Sequence, residues 1–292
     1  WSRYAAWVAN KTVTKRDATV ALMSSERRDR APGAATAPAQ VVKRSAIELK
    51  STDRSTTDWS SNDAVSCRVQ PWSFQPHIAH LVMNHQRRVP SLTDIRQWTD
   101  RVQSLGYHSV RTNALTRAIG RQMECAGYTV MQDLMLLELM SPRAAVVSAS
   151  ANRSERIATR HLDNDLVTAA SDIDIAAFGT EWGLSESAIG DVCAATPRHR
   201  LRGAGEPLAA FAVSGRDGRQ GFLQRLSVTP DKQRQGLGRA LVLDSLEWMT
   251  RWRVQRVLVN TAVDNHAALS LYEELGFRRI GERLRVYERP LL

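Results

Sequence analysis

Cysteine is scarce in this chain. Cys67, Cys125 and Cys193 are odd in number and widely spaced, so neither a disulfide framework nor a metal knuckle follows from them. No metal is expected. Reduced thiols are, and with them a cytoplasmic setting. Long apolar runs are missing too. No stretch approaches 18 apolar residues, so no membrane-crossing helix is expected. The segment Tyr4–Asn10 is too short and too weakly apolar for a signal-peptide core. Lysine is rare: only five of the forty basic residues are lysines, at 11, 15, 43, 50 and 232. Basic runs interleaved with aromatics are absent, so the net charge of +10 does not by itself make nucleic acid the expected partner. A basic cleft for a phosphorylated molecule accounts for the same sign.

What is present is organised. The 292 residues are a length that suits two domains. Residues 1–68 are rich in Ser, Thr, Asp, Arg, Ala and Pro, and read as a low-order extension, with one short helix expected at Ala18–Met23. Helical spacing of Ile95, Trp98, Val102 and Leu105 predicts a helix over Ser91–Leu105, N-capped by Ser91. A strand (His108–Ala114), a helix (Arg117–Ala126) and a long apolar strand (Thr129–Leu139) follow. Residues 141–155 read as a linker. The second block, 156–292, reads as helices at Asp163–Phe178, Ser185–Ala195, Leu237–Arg251 and His266–Leu275. Strands are expected at Arg198–Arg202, Leu208–Ser214, Gly221–Val228, Arg256–Ala262 and Arg278–Arg289, with an Asp217-Gly218 hairpin turn. Hairpins mixed with crossovers imply an α/β fold with a mixed, mostly antiparallel central sheet flanked by helices.

The stretch LSVTPDKQRQGLGRALVLDSLEWM carries the chemistry. A strand runs into a glycine-containing turn, and the turn opens a helix. Gly236 and Gly238 allow close backbone approach. The first amides of the helix are unpaired, and its dipole adds partial positive charge. Together they form an anion site suited to a pyrophosphate, with Arg234 and Arg239 adding charge. The third glycine of a dinucleotide fingerprint is missing, and so is the Gly-Lys-Ser/Thr of a Walker loop.

Gln233, Gly236 and Gly238 fit Q/R-x-x-G-x-G/A. About thirty residues later DNHAALSLYEELGF fits N-x-x-A-x-x-L-Y-x-x-x-G-F through Asn265, Ala268, Leu271, Tyr272, Gly276 and Phe277. These two stretches resemble motifs A and B of the GNAT superfamily of N-acetyltransferases, in the family's order. The resemblance covers about Ile157–Arg289. It implies acetyl-CoA as co-substrate, in a wedge where two strands splay apart. It implies that the backbone of Gln233, Arg234, Gln235, Gly236, Leu237, Gly238 and Arg239 holds the pyrophosphate. Leu226, Ser227 and Val228 would pair with the pantetheine arm, and Asn265 would bond to it. Tyr272 would protonate the leaving thiolate, while an amine attacks the thioester directly. Members often carry a Glu on the strand before the loop, or on the strand before motif B. Here those strands offer Gln224, Arg225 and Asn260. Glu181 is the carboxylate left as a candidate for catalysis or substrate contact. The expected partner is an amine, either a small molecule or a protein group. The missing Glu leaves a non-catalytic acyl-CoA-binding module as the alternative.

Residues 110–128 also resemble 259–277 at an offset of 149, with Gly127 matching Gly276 and Tyr128 matching Phe277. At that offset Asn265 maps to Thr116, Tyr272 to Met123, Gly236 to Arg87 and Gly238 to Val89. Residues 69–140 are therefore expected to be a degenerate GNAT-like half that keeps the packing and has lost the cofactor.

Overall fold

The structure is a computed structural model, describing residues 57–60, 66–83, 89–151 and 157–291. The helix expected at Ala18–Met23 lies outside them. The strands are β1 (Thr57–Ser60), β2 (Ser66–Trp72), β3 (Gln75–Met83), β4 (Ser109–Thr112), β5 (Leu115–Thr116), β6 (Thr129–Met140), β7 (Thr159–His161), β8 (Arg198–Ala204), β9 (Ala210–Asp217), β10 (Gln220–Val228), β11 (Arg256–Ala262) and β12 (Arg278–Pro290). The helices are α1 (Leu92–Ser104), α2 (Arg117–Cys125), α3 (Pro142–Ala151), α4 (Val167–Trp182), α5 (Glu186–Ala194), α6 (Leu237–Arg251) and α7 (His266–Glu274). The expected α/β class holds: all twelve strands belong to one sheet, ordered β1-β2-β3-β4-β12-β6-β11-β10-β9-β8-β7, with β5 also on β12. Among the described residues, only β3–β4 and β10–β11 pair in parallel.

Two halves share this sheet by exchanging their last strands. β12, from the end of the chain, lies between β4 and β6 of the first half. β6, the last strand of the first half, lies between β12 and β11 of the second. The cores follow the strands. Leu284, Val286 and Tyr287 of β12 pack with Ile95, Trp98 and Met123. Leu137 and Leu139 of β6 pack with Leu246, Met249 and Phe277. The apolar stretch Leu134–Leu139 does not alternate because the strand feeds cores on both faces: Leu134 and Leu136 point to one side, Leu137 and Leu139 to the other.

The repeat is visible in the element boundaries. α2 begins at Arg117 and α7 at His266, and β6 begins at Thr129 and β12 at Arg278, both at the offset of 149. Upstream the offset is different. β3 begins at Gln75 and β10 at Gln220, and α1 begins at Leu92 and α6 at Leu237, both at an offset of 145. This corrects the expected partners of the loop glycines. Gly236 corresponds to Ser91 rather than Arg87, and Gly238 to Thr93 rather than Val89. Arg225 corresponds to His80.

Two expectations change in the fold. Residues read as linker form α3, a ten-residue helix, with Ala145 and Val146 packed on the core beneath α6. The low-order reading of residues 1–68 gives way at its end to β1 and β2, an antiparallel pair. β2 and β3 escaped sequence reading because Arg68, Gln70, Pro71 and His80 interrupt their apolar pattern.

Candidate active site

β10 and β11 run together from Gln220–Arg256 to Leu223–Val259 and then part. A bulge at Gln224 causes the parting: the register of β10 against β9 shifts between Leu223 and Arg225. Leu226, Ser227 and Val228 stay paired with Ala212, Phe211 and Ala210 of β9. Their other side carries no strand, while Asn260 and Ala262 of β11 remain on β6. A V-shaped gap opens toward the start of α6. This is the unpaired edge that an extended arm could extend as a strand.

The loop at the head of the gap has the geometry of an anion cradle. Gly236 is the N-cap of α6 with φ 86° and ψ −6°, and no side chain caps the helix. Arg234 also has positive φ, 63°. Gln233 and Gln235 turn their side-chain amides back onto the carbonyls of Val228 and Asp231 at 3.2 and 3.1 Å, which ties the loop down. No acidic residue lies in the first turn of α6. Residues 233–236 are exposed, and Leu237 is buried beneath them. Arg239 stands 3.8 Å from Glu274. Gly238 is less constrained than its motif suggests. A Cβ there would meet Leu271, Leu226 and Val228 at 3.6 to 3.7 Å, ordinary contact distances.

The corresponding place in the first half is the opposite in every respect. β3 and β4 stay paired through Leu81–Thr112, and Asn113 closes them further: its N–H donates to the Leu81 carbonyl and its Oδ1 accepts from the Met83 N–H, both at 3.2 Å. α1 begins with a full capping box between Ser91 and Asp94. Asp94, at the place of Arg239, fills the helix start with negative charge, so an anion is repelled where α6 would attract one. Among its described residues the first half shows neither gap nor cradle.

Across the gap, Asn265 caps α7, its side chain accepting from the Ala268 N–H at 3.1 Å. Its side-chain NH₂ stays available as a donor to a molecule in the gap. Tyr272 is 4 % exposed and packs against Phe277 at 5.6 Å between ring centres. Burial pushes its phenol well above the ordinary value, and the nearby positive charge of Arg225 offsets part of that. It is therefore a neutral hydroxyl over the whole working pH range, and an acid rather than a base.

The base position on β10 holds a buried cation instead of a carboxylate. Arg225 makes two hydrogen bonds to Asp174 of α4, at 2.8 and 2.6 Å, and one to the Trp182 carbonyl at 2.9 Å. Its guanidinium lies over the Phe178 ring at 3.9 Å. Ser227 also donates to Asp174, and so does the Leu184 N–H. Asp174 is fully buried, and every one of its contacts satisfies it. This network was missed from sequence. Its signal was an arginine inside an apolar strand, which requires a buried counter-charge. Removing one side leaves the other unpaired, so Asp174→Asn should destabilise the protein by about 3–5 kcal/mol. Urea unfolding of the variant checks this, and a loss under about 1 kcal/mol would mean that water reaches Arg225.

Glu181 has partners in the first half. It sits past Gly179 (φ 69°), where α4 kinks. Its carboxylate is half exposed and 3.6 Å from Arg111 of β4. Its carbonyl accepts from the Trp72 indole at 2.8 Å. Arg111 is buried, bonded to Glu288 at 2.9 Å, and held between Trp72 and Trp182 with ring centres at 4.7 and 5.2 Å. Glu181 thus helps to join the α4–α5 corner to the first half.

Residues 175–277 match the model of the acetyltransferase (GNAT) family, and that stretch is a GNAT domain. Over 80 residues it is 36 % identical to the ribosomal protein bS18-alanine N-acetyltransferase of Escherichia coli, covering 27 % of this chain and 54 % of that one. Over 68 residues it is 35 % identical to N-alpha-acetyltransferase 30 of Schizosaccharomyces pombe, covering 23 % and 45 %. The chain thus spans about half the length of these curated relatives. In fold it is similar to a tandem GNAT protein from the clavulanic acid biosynthesis pathway, with TM-score 0.59 and 14 % identity over 81 % of this chain and 83 % of that one. It is likewise similar to a GNAT-type N-acetyltransferase from Kribbella flavida, with TM-score 0.56 and 11 % identity over 82 % and 91 %. Among the described residues no helix is long and apolar enough to cross a membrane.

Proposed function

We propose that this protein is an acetyl-CoA-dependent N-acetyltransferase acting on a primary amine, with the reaction in the second half. The observation that carries the reading is the gap between β10 and β11, with a helix start free of acidic residues at its head and a protonated Tyr272 at its side. Bound there, acetyl-CoA supplies an activated acyl group. The chain's own residues do the rest. The amides at 233–239 would hold the pyrophosphate, Arg234 and Arg239 would add charge, and the free edge at Leu226–Val228 and the amide of Asn265 would align the arm. Tyr272 would give its proton to the leaving sulfur as the carbon–nitrogen bond forms. The named activities of the curated relatives make a peptide N-terminus, alanine first, one acceptor to try. Lysine side chains and small amines are the others.

The test is thiol release from acetyl-CoA across such an amine panel, with product mass measured. Transfer to at least one amine is expected. Tight acetyl-CoA binding with no transfer to any amine would replace this reading by the acyl-CoA-binding module, which the absent carboxylate on β10 favours.

A further inference from the structure

The fold gathers arginines that stand in separate short segments of the sequence. Arg198 of β8 lies opposite Arg216 of β9, and Arg216 lies opposite Gly221 of β10. Directly opposed residues share a face of the sheet. A Cβ on Gly221 would meet Met249 and Val254, so this is the face that α6 covers. Alternate residues of a strand return to one face, which adds Arg200 and Arg202 to the row. The C-terminal end of α6 meets it: the Arg216 guanidinium lies over the Trp252 ring at 4.3 Å, and Trp252 is 55 % exposed. The loop after the helix is joined to the β9–β10 turn, the Gln255 N–H donating to the Arg219 carbonyl at 2.8 Å.

The charge gathered there is only partly neutralised. Arg200 and Arg202 share one carboxylate, Asp244, at 3.3 and 3.4 Å. Burial lowers the Arg200 pKa from its ordinary value. Asp244 and Glu247 oppose that shift, and the positive charges of Arg202 and Arg251 add to it. Among the described residues Arg198, Arg216, Arg219, Arg251 and Arg253 make no ion pair. The helix end accounts for few of them. α6 closes with the Val254 N–H on the Met249 carbonyl and the Arg253 N–H on that of Thr250, at 3.1 and 3.0 Å. Arg253 takes φ 55° there, at the place where glycine is usual. A cation past the last turn suits the helix dipole. Arg198 and Arg216 belong to strands and have no helix end to serve.

We propose that this surface docks a single strand of RNA, its phosphates on the arginines and an unpaired base on Trp252. Guanidinium forks match phosphate oxygens two at a time. The exposed indole beside them offers a stacking face. An acidic peptide has no base to set on it, and a duplex keeps its bases stacked within itself. RNA presents unpaired bases in its loops, bulges and ends, and aromatic side chains and guanidinium planes are what those bases stack on. α6 is fifteen residues long, so the surface lies about 20 Å from the cradle at the other end of the helix. RNA held there leaves the β10–β11 gap open, and its binding does not depend on acetyl transfer.

The experiment is fluorescence anisotropy of a fluorescein-labelled oligouridylate of about twelve nucleotides, titrated with the full chain between about 50 and 200 mM salt. Binding should weaken with salt at a log–log slope of about −3, the counterion release expected for about four phosphates. Trp252→Ala should weaken binding about tenfold and leave the slope unchanged. Arg251→Gln combined with Arg253→Gln should weaken it about tenfold or more and bring the slope to about −1.5. All three residues are exposed. Should the helix end not tolerate these changes, Arg198→Gln combined with Arg219→Gln tests the strand side with the same expected loss. No binding by the wild type, a slope near zero, or folded variants that bind like the wild type would overturn the proposal. Equal affinity for a DNA duplex of the same length, for polyglutamate or for phosphatidylserine vesicles would overturn it too, since any anionic surface would then serve. Failure of acetyl transfer with every amine sinks the acetyltransferase reading and leaves this result standing.

Discussion

Gly236→Val is expected to weaken acetyl-CoA binding about a hundredfold, while Gly238→Ala should change it less than threefold. The two glycines stand two residues apart in one motif, but only one needs to be glycine. Gly236 has φ 86°, a conformation that costs an ordinary L residue about 1–2 kcal/mol and a β-branched one more. Its Cβ would also press on Ile157 Cδ1 at 3.2 Å. The backbone escapes by turning, and turning re-aims the amides that begin α6. The loss is then of geometry rather than of charge, because Arg234 and Arg239 remain. At Gly238 a Cβ meets only ordinary contacts, inside a helix where alanine is the better former. Calorimetric titration of both variants checks this. Wild-type affinity in Gly236→Val would remove the loop from the site.

Tyr272→Phe is the second large effect. The ring stays in its packing against Phe277, and among the described residues the hydroxyl makes no hydrogen bond whose loss would unfold the helix. Stability should change by less than about 1 kcal/mol, and acetyl-CoA affinity not at all. Turnover should drop about 10²-fold, the usual contribution of a positioned acid. Because burial raises this phenol above its ordinary value, the drop should be uniform across the profile, with no alkaline limb gained or lost. Unchanged turnover would mean that the thiolate departs without Tyr272.

The sequence marked elements wherever a local rule was sufficient. Ser91, just ahead of the apolar spacing that begins at Ile95, announced the start of α1, and the structure caps the helix there through Ser91 and Asp94. Gly106, Gly127 and Gly276 ended their elements at positive φ, as their placement after helices required. The strand–loop–helix at 220–251 and the helix at 266–274 were legible because glycine, asparagine and apolar spacing act within a few residues of one another. The upstream repeat was legible in part. A constant offset of 149 matched α2 and β6 but misplaced the loop glycines, because the offset is 145 for the β3/β10 and α1/α6 pairs that flank the loop.

What no local rule contained is the pairing of distant groups. The exchange of β6 and β12 joins the last strands of the two halves, and only the burial of both their faces selects that arrangement over two separate sheets. Asp174 looked like one more helix carboxylate until Arg225, 51 residues on, required it. Glu181 read as a candidate for catalysis or substrate contact, and only the fold brings Arg111 and Trp72 of the other half to it. By itself the sequence determined the cradle and the tyrosine, since those depend on backbone conformation and helix phase. The tertiary structure decided which wedge is open and which carboxylates are engaged, because desolvation and charge pairing arise only when the two halves close on each other.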